Sequence, residues 1–126
     1  MKHSTLTKLA VVALLIMPMT ASAEHMDVIE TEFIEGCTPA KYQVIVNDFN
    51  TWAKEYGYHA KIAYPTFSDN LTSFYWLGTS KDGATFGATY DAWLNGLKDS
   101  KSTPAKLNAR LQKCAKSLSR RSYDVN

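Results

Sequence analysis

The chain has 126 residues, 45% of them hydrophobic and 21% charged, with a formal net charge of +2. That is the make-up of an ordinary globular protein; it excludes a disordered chain, and the length suits one domain with a modest core, not two. Lys2 and Lys8 account for the whole charge excess, and from Glu24 onward 12 basic and 12 acidic residues balance, so no global attraction to nucleic acid or to a membrane surface is expected.

Lys2 and Lys8 form a positive n-region, Leu9 to Met17 an apolar h-region, and Ala21-Ser22-Ala23 a small-residue cleavage site. Together they describe a secretory signal peptide of residues 1–23. The mature domain, 24–126, is then expected to begin at Glu24 and to reside in the bacterial periplasm or outside the cell. The apolar run is shorter than the ~20 residues a membrane-spanning helix needs, so no integral segment is expected after cleavage. Glu24-His25-Met26 would set an amine beside an imidazole and a thioether, groups with some affinity for copper. A frayed terminus explains the same residues, and no metal site is assigned.

Asp27 to Gly36 is rich in β-formers (Val28, Ile29, Thr31, Phe33, Ile34) and reads as a first strand. Thr38-Pro39 follows as a helix cap with proline in the first turn. Behind it Tyr42, Ile45, Val46, Phe49, Trp52, Ala53 and Tyr56 recur at helical spacing until Gly57. His59 to Phe67 alternates and carries Pro65, which suits an edge strand. Ser68-Asp69-Asn70 supplies a turn, and Thr72 to Thr79 is aromatic on both sides, as in a central strand.

Asp82-Gly83 opens a second helix with Phe86, Tyr90, Trp93, Leu94 and Leu97 on one face. Thr103-Pro104 repeats the cap-plus-proline signal, and Leu107, Leu111, Cys114, Ala115 and Leu118 mark a third, basic helix. Arg120 to Val125 alternates and is expected to be a short last strand.

The order β-α-β-β-α-(α)-β is the split βαβ arrangement of an α+β, ferredoxin-like fold, with an antiparallel four-stranded sheet and the helices on one face. Right-handed crossovers put the first and third strands side by side and the last strand beside the first. Cys37 and Cys114 then fall at the same end of the sheet. In an oxidising compartment they are expected to form one disulfide, since neither C-x-x-C spacing nor a histidine at ligand spacing accompanies them.

Charge is segregated: Glu24 to Glu35 holds five acids and no base, and Lys98 to Arg121 eight bases and only Asp99. Two solvated faces that attract each other explain this, within one chain or across a dimer. Phe33, Tyr64, Phe74, Tyr75, Trp76 and Tyr123 are more large aromatics than the helices need to cover. The uncovered sheet face is therefore expected to pair with a second copy, making a homodimer.

In this element order the chain resembles the dimeric α+β barrel superfamily, which includes antibiotic-biosynthesis-type monooxygenases and haem-degrading proteins. The segments Asp48-Phe49-Asn50-Thr51-Trp52, Trp76-Leu77-Gly78, Asp82-Gly83-Ala84-Thr85-Phe86-Gly87-Ala88 and Asp91-Ala92-Trp93 look like those of a small exported bacterial family of unassigned function. The resemblance implies paired sheets that enclose a pocket, and it carries no catalytic signature.

Strand alternation could turn Tyr64, Phe74, Trp76, Arg121 and Tyr123 toward such a pocket, although one residue of register would reverse them. His59 is a further pocket candidate, also explained as a surface residue at a strand start. Trp52, Trp93 and the helical tyrosines are expected in the core. No P-loop, dinucleotide fingerprint, nucleophile elbow, zinc motif or carboxylate pair occurs, and no cofactor is called for.

The reading favoured by these residues is an exported module that binds a small apolar or aromatic ligand in a dimer barrel. The alternatives are a cofactor-independent monooxygenase-like enzyme and a structural or partner-binding envelope protein.

Overall fold

The computed structural model describes residues 23–126, and the signal-peptide reading lies outside the described residues. Strand β1 (Glu24–Phe33) leads to helix α1 (Pro39–Ala53), a single 3-10 turn (Lys54–Tyr56), and strands β2 (His59–Ala63) and β3 (Ser73–Ser80). Helices α2 (Gly83–Leu97) and α3 (Thr103–Cys114) and strand β4 (Ala115–Val125) complete the chain. The sheet order is β2-β3-β1-β4, every pair antiparallel. This is the ferredoxin-like arrangement, with β1 and β3 central and β4 beside β1.

Local chemistry fixes the helix ends. Thr38 Oγ1 accepts from Lys41 N at 3.3 Å, Asp82 Oδ1 from Thr85 N at 2.8 Å, and Ser102 Oγ from Ala105 N at 3.1 Å, each satisfying a free donor of a first turn. The cap of α3 is thus Ser102, one residue before the predicted Thr103. Gly57 takes φ 76°, the left-handed conformation that ends the turn after α1. Tyr42, Ile45, Val46, Phe49 and Ala53 form the buried stripe of α1, and Phe74 of β3 is 2% exposed beneath it. Burial of each such large apolar side chain contributes roughly 1.5–3 kcal/mol.

Three of the boundaries that differ from expectation have a clear physical cause. β1 begins at Glu24, because Glu24, His25 and Met26 pair with Val125, Asp124 and Tyr123 of β4; the predicted frayed terminus is sheet, and His25 lies within the fold body. β2 stops at Ala63, short of Pro65, which has no N–H for a ladder. The helical periodicity through Leu118 also fails: α3 ends at Cys114 and β4 runs from Ala115, where the edge of β1 offers pairing partners (Phe33 with Ala115, Glu32 with Lys116). The β1–β4 register shifts between Glu30 and Thr31, leaving Leu118 as the extra residue of a bulge.

Cys37 and Cys114 form the expected disulfide, with Cα atoms 5.1 Å apart. Beside it Ile34 N donates to Cys114 O and Cys37 N to Ile34 O, both at 3.0 Å, so the junction of α3 and β4 is tied to the end of β1. The opposed charged runs meet inside the chain at Arg120–Asp27, whereas Arg110 pairs with Asp48 of α1, outside the acidic run. Among the described residues no helix is long and apolar enough to cross a membrane.

Candidate functional site

Odd-numbered residues of β1 face the helices: His25, Asp27, Ile29, Thr31 and Phe33. Asp27 stands in this row fully buried, where an unpaired carboxylate would be very costly. Arg120 of β4 forks onto it, Nε donating to Oδ1 at 2.9 Å and Nη2 to Oδ2 at 2.6 Å. Ser122 Oγ donates to Oδ1 at 3.4 Å and the Tyr58 hydroxyl to Oδ2 at 3.2 Å. That hydroxyl in turn accepts from Trp76 Nε1 at 2.6 Å.

Gly78 makes this geometry possible. It lies opposite Asp27 across β1–β3, and a Cβ there would overlap the Tyr58 hydroxyl. Burial first, and then the Asp27 charge, raise Tyr58 above the ordinary tyrosine range, so it stays a protonated donor. Burial acts to lower Arg120, but its hydrogen bonds to Asp27 and that residue's charge more than offset this and raise it. Its guanidinium lies over the rings of Tyr90, 5.0 Å from the centroid, and Phe86, at 5.9 Å.

Beside this group a cavity of about 490 Å³ lies between the sheet and the three helices, within the size range of small-molecule sites. Ile29, Thr31 and Trp76 line it from the sheet, Phe49 and Trp52 from α1, and Tyr58 from the loop before β2. Phe86, Tyr90 and Trp93 enter from α2, and Asn108, Leu111 and Gln112 from α3. The rings brace one another, Phe49 against Trp76 at 4.8 Å and Trp93 at 5.4 Å, and Trp52 against Trp93 at 5.5 Å, in edge-on geometry. The exposed polar residues of the lining, Gln112, Lys116, Ser117 and Arg120, gather where α3 passes into β4.

Of the sequence-predicted pocket residues, Trp76 lines this cavity. Phe74 does not: it faces the helices like Trp76 but packs against Phe33 and Tyr42. Tyr64 lies on the same side at the end of the β2 row, half exposed, against Phe33 and Phe74. The expectation that these three turn to the uncovered face is therefore corrected by one residue of parity; Tyr75 faces that way instead. Arg121 and Tyr123 do lie on the uncovered face, alternating with Arg120 and Ser122. His59 is exposed at the start of β2, on a separate depression with Asn50, Thr51 and Lys54.

Trp52, Trp93 and Tyr90, expected in the core, are walls of the cavity. Sequence reasoning passed over Asp27, Tyr58 and Arg120, although two signals were present: a lone carboxylate in the inward row of β1, and a glycine inside a central strand. Asn50, a residue beside the helical stripe, brackets the backbone of Ala60 with its amide, at 2.9 and 2.8 Å. His25 stacks on Phe86 at 4.4 Å, with Nδ1 3.1 Å from Asp124 Oδ1. Its Nε2 and the Oγ of Ser80, its cross-strand neighbour, are buried without a partner among the described residues. Among those residues no cluster of three or more His, Cys, Asp or Glu side chains could hold a metal ion.

No protein-family model matches the chain, and no curated protein matches it in sequence. Solved structures do match it. SnoaB, a cofactor-independent oxygenase from Streptomyces nogalater, is 12% identical over 83% of this chain and 95% of its own, with a TM-score of 0.50. A protein of unknown function from Bacteroides thetaiotaomicron, a possible oxidoreductase, is 10% identical over 82% and 99%, with a TM-score of 0.47. A conserved protein from Methanosarcina mazei is 14% identical over 84% and 96%, with a TM-score of 0.48. At 12% identity the likeness to SnoaB is one of fold.

Proposed function

We propose that this chain is an exported small-molecule-binding protein that holds a largely apolar, aromatic ligand in the cavity between its sheet and its helices. The observation that carries the reading is the cavity itself: about 490 Å³, walled by mutually braced rings, with one polar group fixed at its edge by the Asp27–Arg120 fork. Such a site gives area and shape to an apolar ligand and few, well-placed polar contacts. It lies on the opposite side of the sheet from the pocket expected between paired sheets.

The uncovered face has a separate role in this reading, as the seam of a homodimer. Met26, Val28, Tyr75, Leu77, Tyr123 and Val125 share it with Glu30 and Glu32 of β1 and with Lys61 and Arg121 of the flanking strands. Two-fold pairing of such a face brings unlike charges together as it buries the apolar groups. The disulfide supports an oxidising compartment.

A second reading, a cofactor-independent oxygenase, draws on the fold shared with SnoaB and on the hydrogen-bonded chain Trp76–Tyr58–Asp27 at the cavity wall. Native mass spectrometry of protein purified from its own compartment tests both readings. Twice the chain mass with a retained small molecule is the expected result; a bare monomer would overturn both the ligand and the pairing. Oxygen uptake with the retained molecule would then separate enzyme from binder.

A further inference from the structure

We infer that the ligand is an uncharged aromatic lactam, a fused ring system whose edge sets an N–H beside a C=O, read by the carboxamide of Asn108. The inference rests on the proposed ligand-binding role of the cavity and adds the chemical class. The lining carries no unbalanced charge. Of its two cationic residues, Arg120 is neutralised by Asp27, and Lys116 pairs with Glu32 across β1–β4 and so stands on the uncovered face. No carboxylate lines the cavity among the described residues. An ionised ligand would leave water for a site with nothing to match its charge, so an uncharged one is favoured.

Specificity then falls to hydrogen bonds. Deeper in the wall the polar groups are already occupied: Thr31 Oγ1 donates to Ile29 O at 3.2 Å, Thr89 Oγ1 to Thr85 O at 3.0 Å and the Tyr58 hydroxyl to Asp27. Asn108, half-buried, and Gln112, exposed one turn further along α3, line the cavity with neither amide bonded to another group among the described residues. Spacing alone does not account for this. Gln43 and Asn47 stand four apart on α1 in the same way, and there Gln43 Nε2 donates to Asn47 Oδ1 at 2.9 Å. What a carboxamide turned inward can hold is seen at Asn50, whose Nδ2 donates to Ala60 O at 2.9 Å while its Oδ1 accepts from Ala60 N at 2.8 Å. A lactam offers an N–H and a C=O side by side on a flat ring, the pair that one carboxamide matches. Seated among Trp52, Trp76 and Trp93, such a ring brings that edge to Asn108, with Gln112 nearer the mouth adding a second, looser contact.

Calorimetric titration of the intact protein at neutral pH with 2-quinolone, quinoline and 2-naphthoate, which share two fused rings and differ in edge and charge, tests this. The lactam is the better hydrated of the two neutral probes, so apolar burial alone would rank quinoline first. The expected result is a preference for 2-quinolone over quinoline of about tenfold, the scale of a pair of net hydrogen bonds, with 2-naphthoate weakest. Asn108→Leu should bring the ratio of the two neutral probes to about one or below, because the lactam edge then enters unpaired. Asn108→Asp, which keeps the shape and loses the donor, should weaken 2-quinolone by about fivefold or more. Gln43→Leu, on the outer face of α1, should change neither affinity. Equal affinities for the neutral probes, a preference that survives both Asn108 substitutions, or 2-naphthoate as the tightest probe would overturn the lactam assignment and leave the aromatic cavity standing. Failure of all three probes to bind would overturn the ligand-binding reading and this inference with it.

Discussion

The helix side of the sheet is packed unequally. Over β2 and around Phe74 of β3 it is closed: Ala53 and Val46 are wholly buried, and Phe33 of β1, Tyr42 and Phe74 fill the space with rings 4.3 to 5.7 Å apart. Over β4, the middle of β1 and Trp76 of β3 the same layer is hollow, and nearly every residue of β4 is exposed. Both regions use aromatic residues, so hydrophobicity alone does not separate them. What differs is how the strand below is held. β2 and β3 are held by packing, whereas β4 is held by its ladder to β1, by the disulfide at its start and by one charged fork, an arrangement that leaves room for a ligand.

The sharpest way to break that contrast is Arg120→Ala. It strands the Asp27 carboxylate in a fully buried position, and removing one partner of a buried pair costs about 3–5 kcal/mol, readable by urea denaturation. Asp27→Ala should cost less, because the half-exposed Arg120 can turn to water; equal losses would show that Asp27 is not the desolvated partner. Replacing both Cys37 and Cys114 by serine removes the clamp at the start of β4 and should cost about 2–4 kcal/mol, with hydrogen exchange rising first in β4 and leaving β2 and β3 protected.

Gly78→Ala should cost about 1–3 kcal/mol by forcing the Tyr58 hydroxyl away from Asp27, an effect that Tyr58→Phe in the same chain should largely relieve. The smallest effect is one of pH. Burial raises Tyr58 and Tyr42 above the 10.0 of an ordinary tyrosine, so the native state holds protons that the unfolded chain releases. Their contribution is complete below pH 10 and falls as pH rises beyond it, by at most about 1.4 kcal/mol per unit for each group. The urea midpoint should therefore drop between pH 9 and 11, and less steeply in Tyr58→Phe.

The order of the elements, the strand pairing and the disulfide were legible in the sequence because each rests on a pattern within a short span: the stripe from Tyr42 to Ala53, the caps at Thr38 and Asp82, the half-cysteines at the ends of elements. The faces of β3 were not, since Phe74, Tyr75 and Trp76 are aromatic on both sides and alternation has nothing to choose between. Nor was the start of β4: Cys114, Ala115 and Leu118 fit a helical face locally, and the decision lies with β1, some eighty positions earlier. Asp27 and Arg120 escaped for the same reason. Each read alone is a solvated charge, and only the topology that sets β4 against β1 makes them partners.

That topology also bears on how the protein comes into being. β1, the first strand of the described chain, lies between β3 and β4, and β4 is the last of the described elements. A ribosome must therefore have made β4 before the central strand has both neighbours, and the Asp27 carboxylate waits for its arginine until then. Contacts so distant along the chain make for slow folding. A domain wired in this way stays open while it is being made, and closes only once β4 is free to join it.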